Sequence, residues 1–320
     1  MKIKHFIVLF LITIFILAGC RENAAQDNKK SKDTLTVYTT IFPIEDFTKK
    51  IGGKHVEVKS VYPAGADAHT YEPTMKTMMD IADSDLLIFN GGGLESFIGK
   101  MESSLKNEKV VKVEASEGVQ LLSSEEQHGN EEHEHEEHGH DDGHHHDKDP
   151  HIWIDPENAT IMAENIKNAL SEEMPSAKKD FEKNYQDLKA KLQQLDTDLR
   201  TVIESADRKE ILVSHAAYGY WGHRYGLEQI SITGISSENE PSQKQLQGII
   251  ETAKKHHMKY IIYDQNPVTK VVDTIQKETG TKPLTLHNLE YITEKDKQDK
   301  EDYFSIMDKN IETLKKALFE

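Results

Sequence analysis

The chain has 320 residues, with 39 Lys+Arg against 56 Asp+Glu, 17 His and a single Cys. A formal charge of −17 argues against nucleic acid as a partner, because phosphate binding needs a basic footprint. One Cys allows neither an intramolecular disulfide framework nor a Cys-rich zinc cage, so a transition metal here must be held by His and carboxylates.

Lys2 and Lys4 precede an apolar run from Phe6 to Leu17. That run is too short for a bilayer span of ~20 helical residues and reads as a signal-peptide core. It ends in Leu17-Ala18-Gly19-Cys20, which resembles the lipobox of bacterial lipoproteins, so residues 1–19 are expected to be removed and Cys20 to be lipidated. The polar stretch 20–33 then serves as a tether on the outer face of the cytoplasmic membrane. Loss of the two lysines takes the mature charge to 37 − 56 = −19. Of this, the eleven acids and one Lys of Glu125–Asp149 account for −10, so the rest of the chain is only mildly acidic.

Leu35–Ile41 alternates as a strand, and Pro43 opens a helix to about Lys50. His55–Tyr62 alternates again, Thr74–Ala82 has helical spacing, and the apolar run Leu86–Phe89 ends in Asn90 and three glycines. Gly91–Gly93 lacks the spacing of a phosphate loop and reads as a tight strand-to-helix turn. The second half repeats this grammar: strands at Ile211–Ser214, Glu228–Thr233, Tyr260–Tyr263 and Leu284–Leu286, with helices at Ser242–His257, Val268–Thr279 and about Asp302–Leu318. Short apolar strands separated by helices predict an α/β chain with mainly parallel sheets covered on both faces.

Between the halves, Pro175–Ala206 contains no internal Gly or Pro. Phe181, Tyr185, Leu188, Leu192, Leu195, Leu199 and Val202 follow a 4-3-4-3-4-3 spacing, the seam of a long helix. Such a helix can join two lobes, or it can dimerise as a coiled coil. Docking on the neighbouring lobes, with a monomeric chain, is the expectation. The domain order is thus 34–174 for the first α/β lobe, 175–206 for the linking helix and 207–320 for the second lobe.

The chemistry lies in the histidines. His128, His133, His135, His138, His140, His144, His145 and His146 are interleaved with Gly and acids and have no apolar neighbours to pack against. By composition the segment about 125–149 is a disordered, low-affinity metal loop. His55, His223, His256 and His257 sit in or beside predicted elements and read as ordinary histidines. His69, His151, His215 and His287 instead lie at or beyond the carboxyl ends of strands, where open α/β sheets place their ligand sites. Three imidazoles and one carboxylate satisfy tetrahedral zinc.

PAGADAHTYEPT, DPHIWIDP, SHAAYGYWGHRYGL and the segment around LTLHNLEYIT resemble the metal substrate-binding lipoproteins of bacterial ABC importers for zinc and manganese (cluster A-I). The resemblance covers the mature chain, including the His-rich insertion ahead of DPHIWIDP. It implies two α/β lobes joined by one long helix, with the metal site in the inter-lobe cleft. Carried over residue by residue, it implies His69 and His151 from the first lobe, His215 from the second, and Glu290 as fourth ligand with His287 as the alternative. It further implies a membrane permease and, through it, a cytoplasmic ATPase as partners. Three imidazoles and the His-rich loop favour Zn²⁺ as transported ligand, with Mn²⁺ the alternative.

Two other classes have less to support them. A zinc hydrolase would need an open coordination position and a general base, and neither HExxH nor GxSxG is present: His133-Glu134 is followed by Glu137 at the fifth place. The expectation is therefore no enzyme and no organic cofactor. A surface adhesin of the same fold would leave no signature that the sequence could reveal.

Overall fold

Leu35–Thr39 alternates buried and half-exposed side chains and forms the central strand β1 of a first sheet. Helix α1 (Phe42–Gly52) follows, with Pro43 in its first turn, where a missing N–H costs nothing. Next come β2 (Val56–Ser60), α2 (Met75–Ala82, capped by the Thr74 hydroxyl), β3 (Leu86–Phe89), α3 (Phe97–Ser104) and β4 (Val111–Glu114). The computed structural model describes residues 33–104, 109–123, 148–235, 242–265 and 270–320.

The strands pair in the order β2-β1-β3-β4, all parallel. Helix α4 (Pro156–Glu173) starts at an Asp155 cap, and after a short turn at Pro175–Ala177 the long helix α5 (Lys178–Glu204) begins. The second sheet repeats the plan with β5 (Glu210–Val213), α6 (Gly219–Tyr225), β6 (Glu228–Ser231), α7 (Gln243–Lys255), β7 (Tyr260–Tyr263), α8 (Lys270–Thr279) and β8 (Lys282–Thr285). Its order is β6-β5-β7-β8, again all parallel. Helices α9 (Glu294–Asp299) and α10 (Tyr303–Phe319) complete the described chain.

All seven seam residues of α5 are buried. They pack on α1 and α4 of the first lobe and on α10 and α6 of the second, so the seam is consumed within the chain. One continuous core runs from Leu35 through the seam to Leu318, and a smaller cluster around Leu212, Ile261 and Ile275 lies under α7 and α8.

The triple glycine is a turn. Gly91, Gly92 and Gly93 all have positive φ (85°, 62° and 86°), a run that residues with a Cβ rarely adopt. Glu95 closes it: its buried carboxylate accepts the N–H groups of Asn90 and Gly91 at 2.7 and 3.0 Å and the Thr40 hydroxyl at 2.7 Å. Both sheets are parallel, so their carboxyl ends each gather three or four loops at one edge. Those loops carry the site.

Candidate metal centre

His69 lies in the loop after β2. Asp67 shapes that loop by accepting the His69 backbone N–H at 2.9 Å and, with its own carbonyl, the Tyr71 N–H at 3.0 Å. His151 stands between the prolines of DPHIWIDP, just before α4. The Asp149 carboxylate accepts the His151 backbone N–H at 2.9 Å and contacts its ring Nδ1 at 2.7 Å. His215 follows β5 by two residues; its Nδ1 lies 3.1 Å from Asp264 Oδ2 and its Nε2 2.6 Å from the Ile235 carbonyl oxygen.

The three rings converge. Centroids are 4.8 Å apart for His151–His215, 5.4 Å for His69–His151 and 6.0 Å for His69–His215. Each ring offers a nitrogen within 4.8 Å of the other two, and all three residues are buried. A tetrahedral zinc shell at ~2.0–2.1 Å sets neighbouring donors roughly 3.4 Å apart. The widest pair therefore needs to close by little more than an ångström.

Charge is distributed unequally over the three. Burial pulls the His151 imidazole below the usual histidine range, against the pull of Asp149. Burial opposes charge on His215 as well, but the hydrogen bond and charge of Asp264, with Glu290 and the Ile235 carbonyl adding to them, push it up to about 9. Glu290 is buried beside them, and that burial together with Asp67 raises it to about 7, against His215 and the Ala68 N–H.

Glu290 and His287 part company here. Glu290 reaches the first lobe, where its Oε1 accepts the Ala68 N–H at 2.6 Å, and its Oε2 lies 3.3 Å from Asn288 Nδ2. His287 turns to its own lobe: Nδ1 accepts the Leu289 N–H at 2.9 Å and Nε2 faces Asp296 at 3.5 Å. The Asp296 carboxyl falls well below its usual range because the His287 ring faces it and because Thr293 donates to it from both hydroxyl and backbone N–H. Between the two, Leu289 is buried with φ 62°, an uncommon conformation for a non-glycine residue that swings Glu290 toward the cleft.

DPHIWIDP is fastened to the second lobe at several points, among them the Tyr303 hydroxyl donating to the Trp153 carbonyl at 2.8 Å. Tyr220 donates to the Asp149 carbonyl at 2.9 Å, Trp221 Nε1 to Ile154 O at 2.7 Å, and Trp153 Nε1 to Asn288 O at 2.7 Å. Arg224 Nε meets Asp155 at 2.5 Å. The aromatic residues of α6 thus hold His151 of one lobe against His215 of the other.

The histidines read as ordinary lie elsewhere. His55 pairs with Asp180 at 2.8 Å, His256 with Glu210 at 2.6 Å, and His223 is exposed. Cys20 and the eight histidines between His128 and His146 lie outside the described residues. Asp264 is absent from the sequence-level candidates. Nothing local marks it; it reaches His215 only because β5 and β7 are neighbours in the sheet.

Two parallel-sheet lobes joined by a helix, with a buried set of metal-type side chains where their strand ends face each other, define a two-lobed solute-binding protein. Residues 37–317 match the family described as ZnuA, zinc-uptake complex component A periplasmic, and the chain belongs to that family. The chain is 37% identical over 315 residues to the high-affinity zinc uptake system protein ZnuA of Bacillus subtilis, covering 97% of both. It is 34% identical over 295 residues to the zinc-binding lipoprotein AdcA of Streptococcus pneumoniae, covering 92% of this chain but only 58% of that longer protein. The Zn(II)-bound ZnuA-like domain of the pneumococcal AdcA superposes with a TM-score of 0.75 at 32% identity, over 90% of this chain and all of that domain.

Proposed function

We propose that this protein is the extracytoplasmic zinc-binding component of an ABC importer, which captures Zn²⁺ and delivers it to a membrane permease coupled to a cytoplasmic ATPase. The observation that carries this reading is the trio of buried imidazoles, gathered from both lobes within 4.8 Å, in a chain of a zinc-uptake family. His69, His151 and His215 are the proposed ligands. Glu290 completes the shell, because it is a buried carboxyl group tied to the loop that carries His69, whereas His287 faces Asp296 within its own lobe. Imidazole-rich coordination suits zinc better than manganese, which favours more oxygen donors.

Ligand exchange is the only chemistry in this reading, so the protein is a carrier and not an enzyme. The signal peptide 1–19, lipidation at Cys20 and the tether 20–33 would hold it at the outer face of the cytoplasmic membrane. Among the described residues no helix is long and apolar enough to cross a membrane. The lobes 34–174 and 207–320, with 175–206 between them, remain the proposed domain division. The segment from residue 125 to 147 is proposed to gather zinc loosely, at a high effective concentration set by its short tether to His151. The last two residues of the expected loop, Lys148 and Asp149, belong instead to the described structure, with Asp149 buried against His151.

Competitive titration with Zn²⁺ and Mn²⁺ tests the reading. One tight zinc site, lost in His215→Ala, supports it. A tight manganese site with weak zinc would replace zinc by manganese as cargo, and no tight site for either metal would overturn it.

A further inference from the structure

His215 has an oxygen partner at both ring nitrogens, so a metal can reach the ring only by displacing one of them. Asp264 Oδ2 stands 3.1 Å from Nδ1, and the Ile235 carbonyl oxygen 2.6 Å from Nε2. These partners are unequal. A hydrogen bond to an ionised acceptor is roughly twice as strong as one to a neutral acceptor. Asp264 Oδ1 lies 3.4 Å from the hydroxyl of Tyr218, whose shorter contact is to the Leu286 carbonyl at 2.7 Å. By that ranking the neutral carbonyl of Ile235 is the weaker partner although its contact is the shorter.

His151 gives an independent parallel. Asp149 engages its Nδ1 at 2.7 Å, and its Nε2 has no hydrogen-bond partner among the described residues. One imidazole from each lobe is therefore clasped by a carboxylate on the same ring nitrogen. A carboxylate on one nitrogen fixes the tautomer, orients the ring and makes the other nitrogen a better donor to metal.

We propose that Asp264 is a positioning residue for metal capture: it grips His215 by Nδ1, so that Nε2 is the ligand atom, and the Ile235 carbonyl keeps that position until the metal displaces it. The proposal rests on the reading of His215 as a ligand. Asp264 itself need not touch the metal.

The test is a chelator-competition titration of the full chain with Zn²⁺, comparing the unsubstituted protein with Asp264→Ala, Asp264→Asn and His215→Ala, and repeating the set with Co²⁺ to read the visible d–d bands. Loss of the carboxylate in Asp264→Ala is expected to weaken zinc about 10- to 100-fold. Asparagine keeps an oxygen to accept the Nδ1 proton, so Asp264→Asn should recover affinity to within about threefold of the unsubstituted protein. The Co²⁺ bands of Asp264→Asn should match those of the unsubstituted protein, while those of Asp264→Ala lose intensity as the ring becomes free to turn. Should Asp264→Ala fail to fold, Asp264→Ser takes its place, because the shorter side chain cannot reach Nδ1. Undiminished zinc affinity in Asp264→Ala, in a series where His215→Ala has lost the metal, overturns the proposal. Equal weakening by Ala and Asn also overturns it. Tight zinc binding retained by His215→Ala would instead overturn the ligand reading beneath it.

Discussion

Ala68 donates its backbone N–H to the Glu290 carboxylate at 2.6 Å, across 222 positions of the chain. The donor belongs to the loop that carries His69, and the acceptor to the loop after β8. The proposed fourth ligand is thus already tied to the loop that bears the first, and to the opposite lobe.

Glu290→Ala should therefore weaken zinc by at least about tenfold, or ~1.4 kcal/mol. His287→Ala should leave zinc affinity within about twofold and lower stability by ~1–2 kcal/mol, since it strips the buried Leu289 N–H of its acceptor. Matched titrations and urea unfolding separate the two effects. The reverse ranking for zinc would move the ligand role to His287.

His215→Ala should reduce zinc affinity far more than His223→Ala. Both residues lie near α6, but His215 is buried beside His151 while His223 is exposed. Calorimetry on the two variants decides, and equal losses would contradict the assignment.

Proton release follows from the charge state of the site. His215 is raised to about 9 and Glu290 to about 7 in the metal-free chain. Zinc needs the imidazole neutral and the carboxylate ionised, so both protons must leave. Affinity should accordingly climb with pH well beyond the ordinary imidazole value of ~6.5, levelling only near pH 9. At pH 7.5, calorimetry in buffers of different ionisation enthalpy should show about one proton released per zinc, chiefly from His215. Affinity that is flat from pH 7 to 9 would contradict this.

Much of this architecture is legible in the chain, and its failures have physical causes. β3 and β7 coincide with apolar runs at Leu86–Phe89 and Tyr260–Tyr263, because central strands of a parallel sheet are buried on both faces. The seam of α5 can be read because a seven-residue apolar spacing survives over its whole length. β4 escapes notice: it is an edge strand, VKVE, with no fully buried side chain and charged residues in alternate places. α4 also goes unread, since much of its buried face is alanine, which gives weak amphipathic contrast. At the site, His69, His151 and His215 are visible because each follows a strand or a rigid turn. Asp264 is not, since a carboxylate after a strand is ordinary until strand order sets it against a histidine. The sequence places strands at Ile211–Ser214 and Tyr260–Tyr263 without disclosing that they pair.

Arg224→Ala should destabilise the fold by ~3 kcal/mol, because it leaves the buried Asp155 carboxylate without its cation. Arg224 Nε meets Asp155 at 2.5 Å and its NH1 meets Glu157 at 2.5 Å, joining α6 to the start of α4. Asp155 retains the Glu157 and Asn158 N–H groups as donors, which keeps the loss at the low end for a buried pair. Chemical denaturation of the metal-free protein measures it, and a loss below about 1 kcal/mol would show the pair to be dispensable.

Deleting residues 125–147, which lie outside the described structure, should leave one tight zinc site and remove only weak additional binding. The eight histidines and the acids of this segment can gather metal, but ordering any one geometry costs ~1–2 kcal/mol per residue fixed. Uptake by cells carrying the deletion should suffer mainly when zinc is scarce. Loss of the tight site on deletion would make the segment a source of ligands.

The central claim, that zinc is held by imidazoles from both lobes with one carboxylate, is tested most directly by X-ray absorption on the full chain loaded with one equivalent of Zn²⁺. Three imidazole nitrogens and one oxygen at ~2.0–2.1 Å are predicted, falling to two imidazoles or to no bound zinc in His215→Ala. A shell of mostly oxygen donors, or a three-imidazole shell unchanged by His215→Ala, would contradict it.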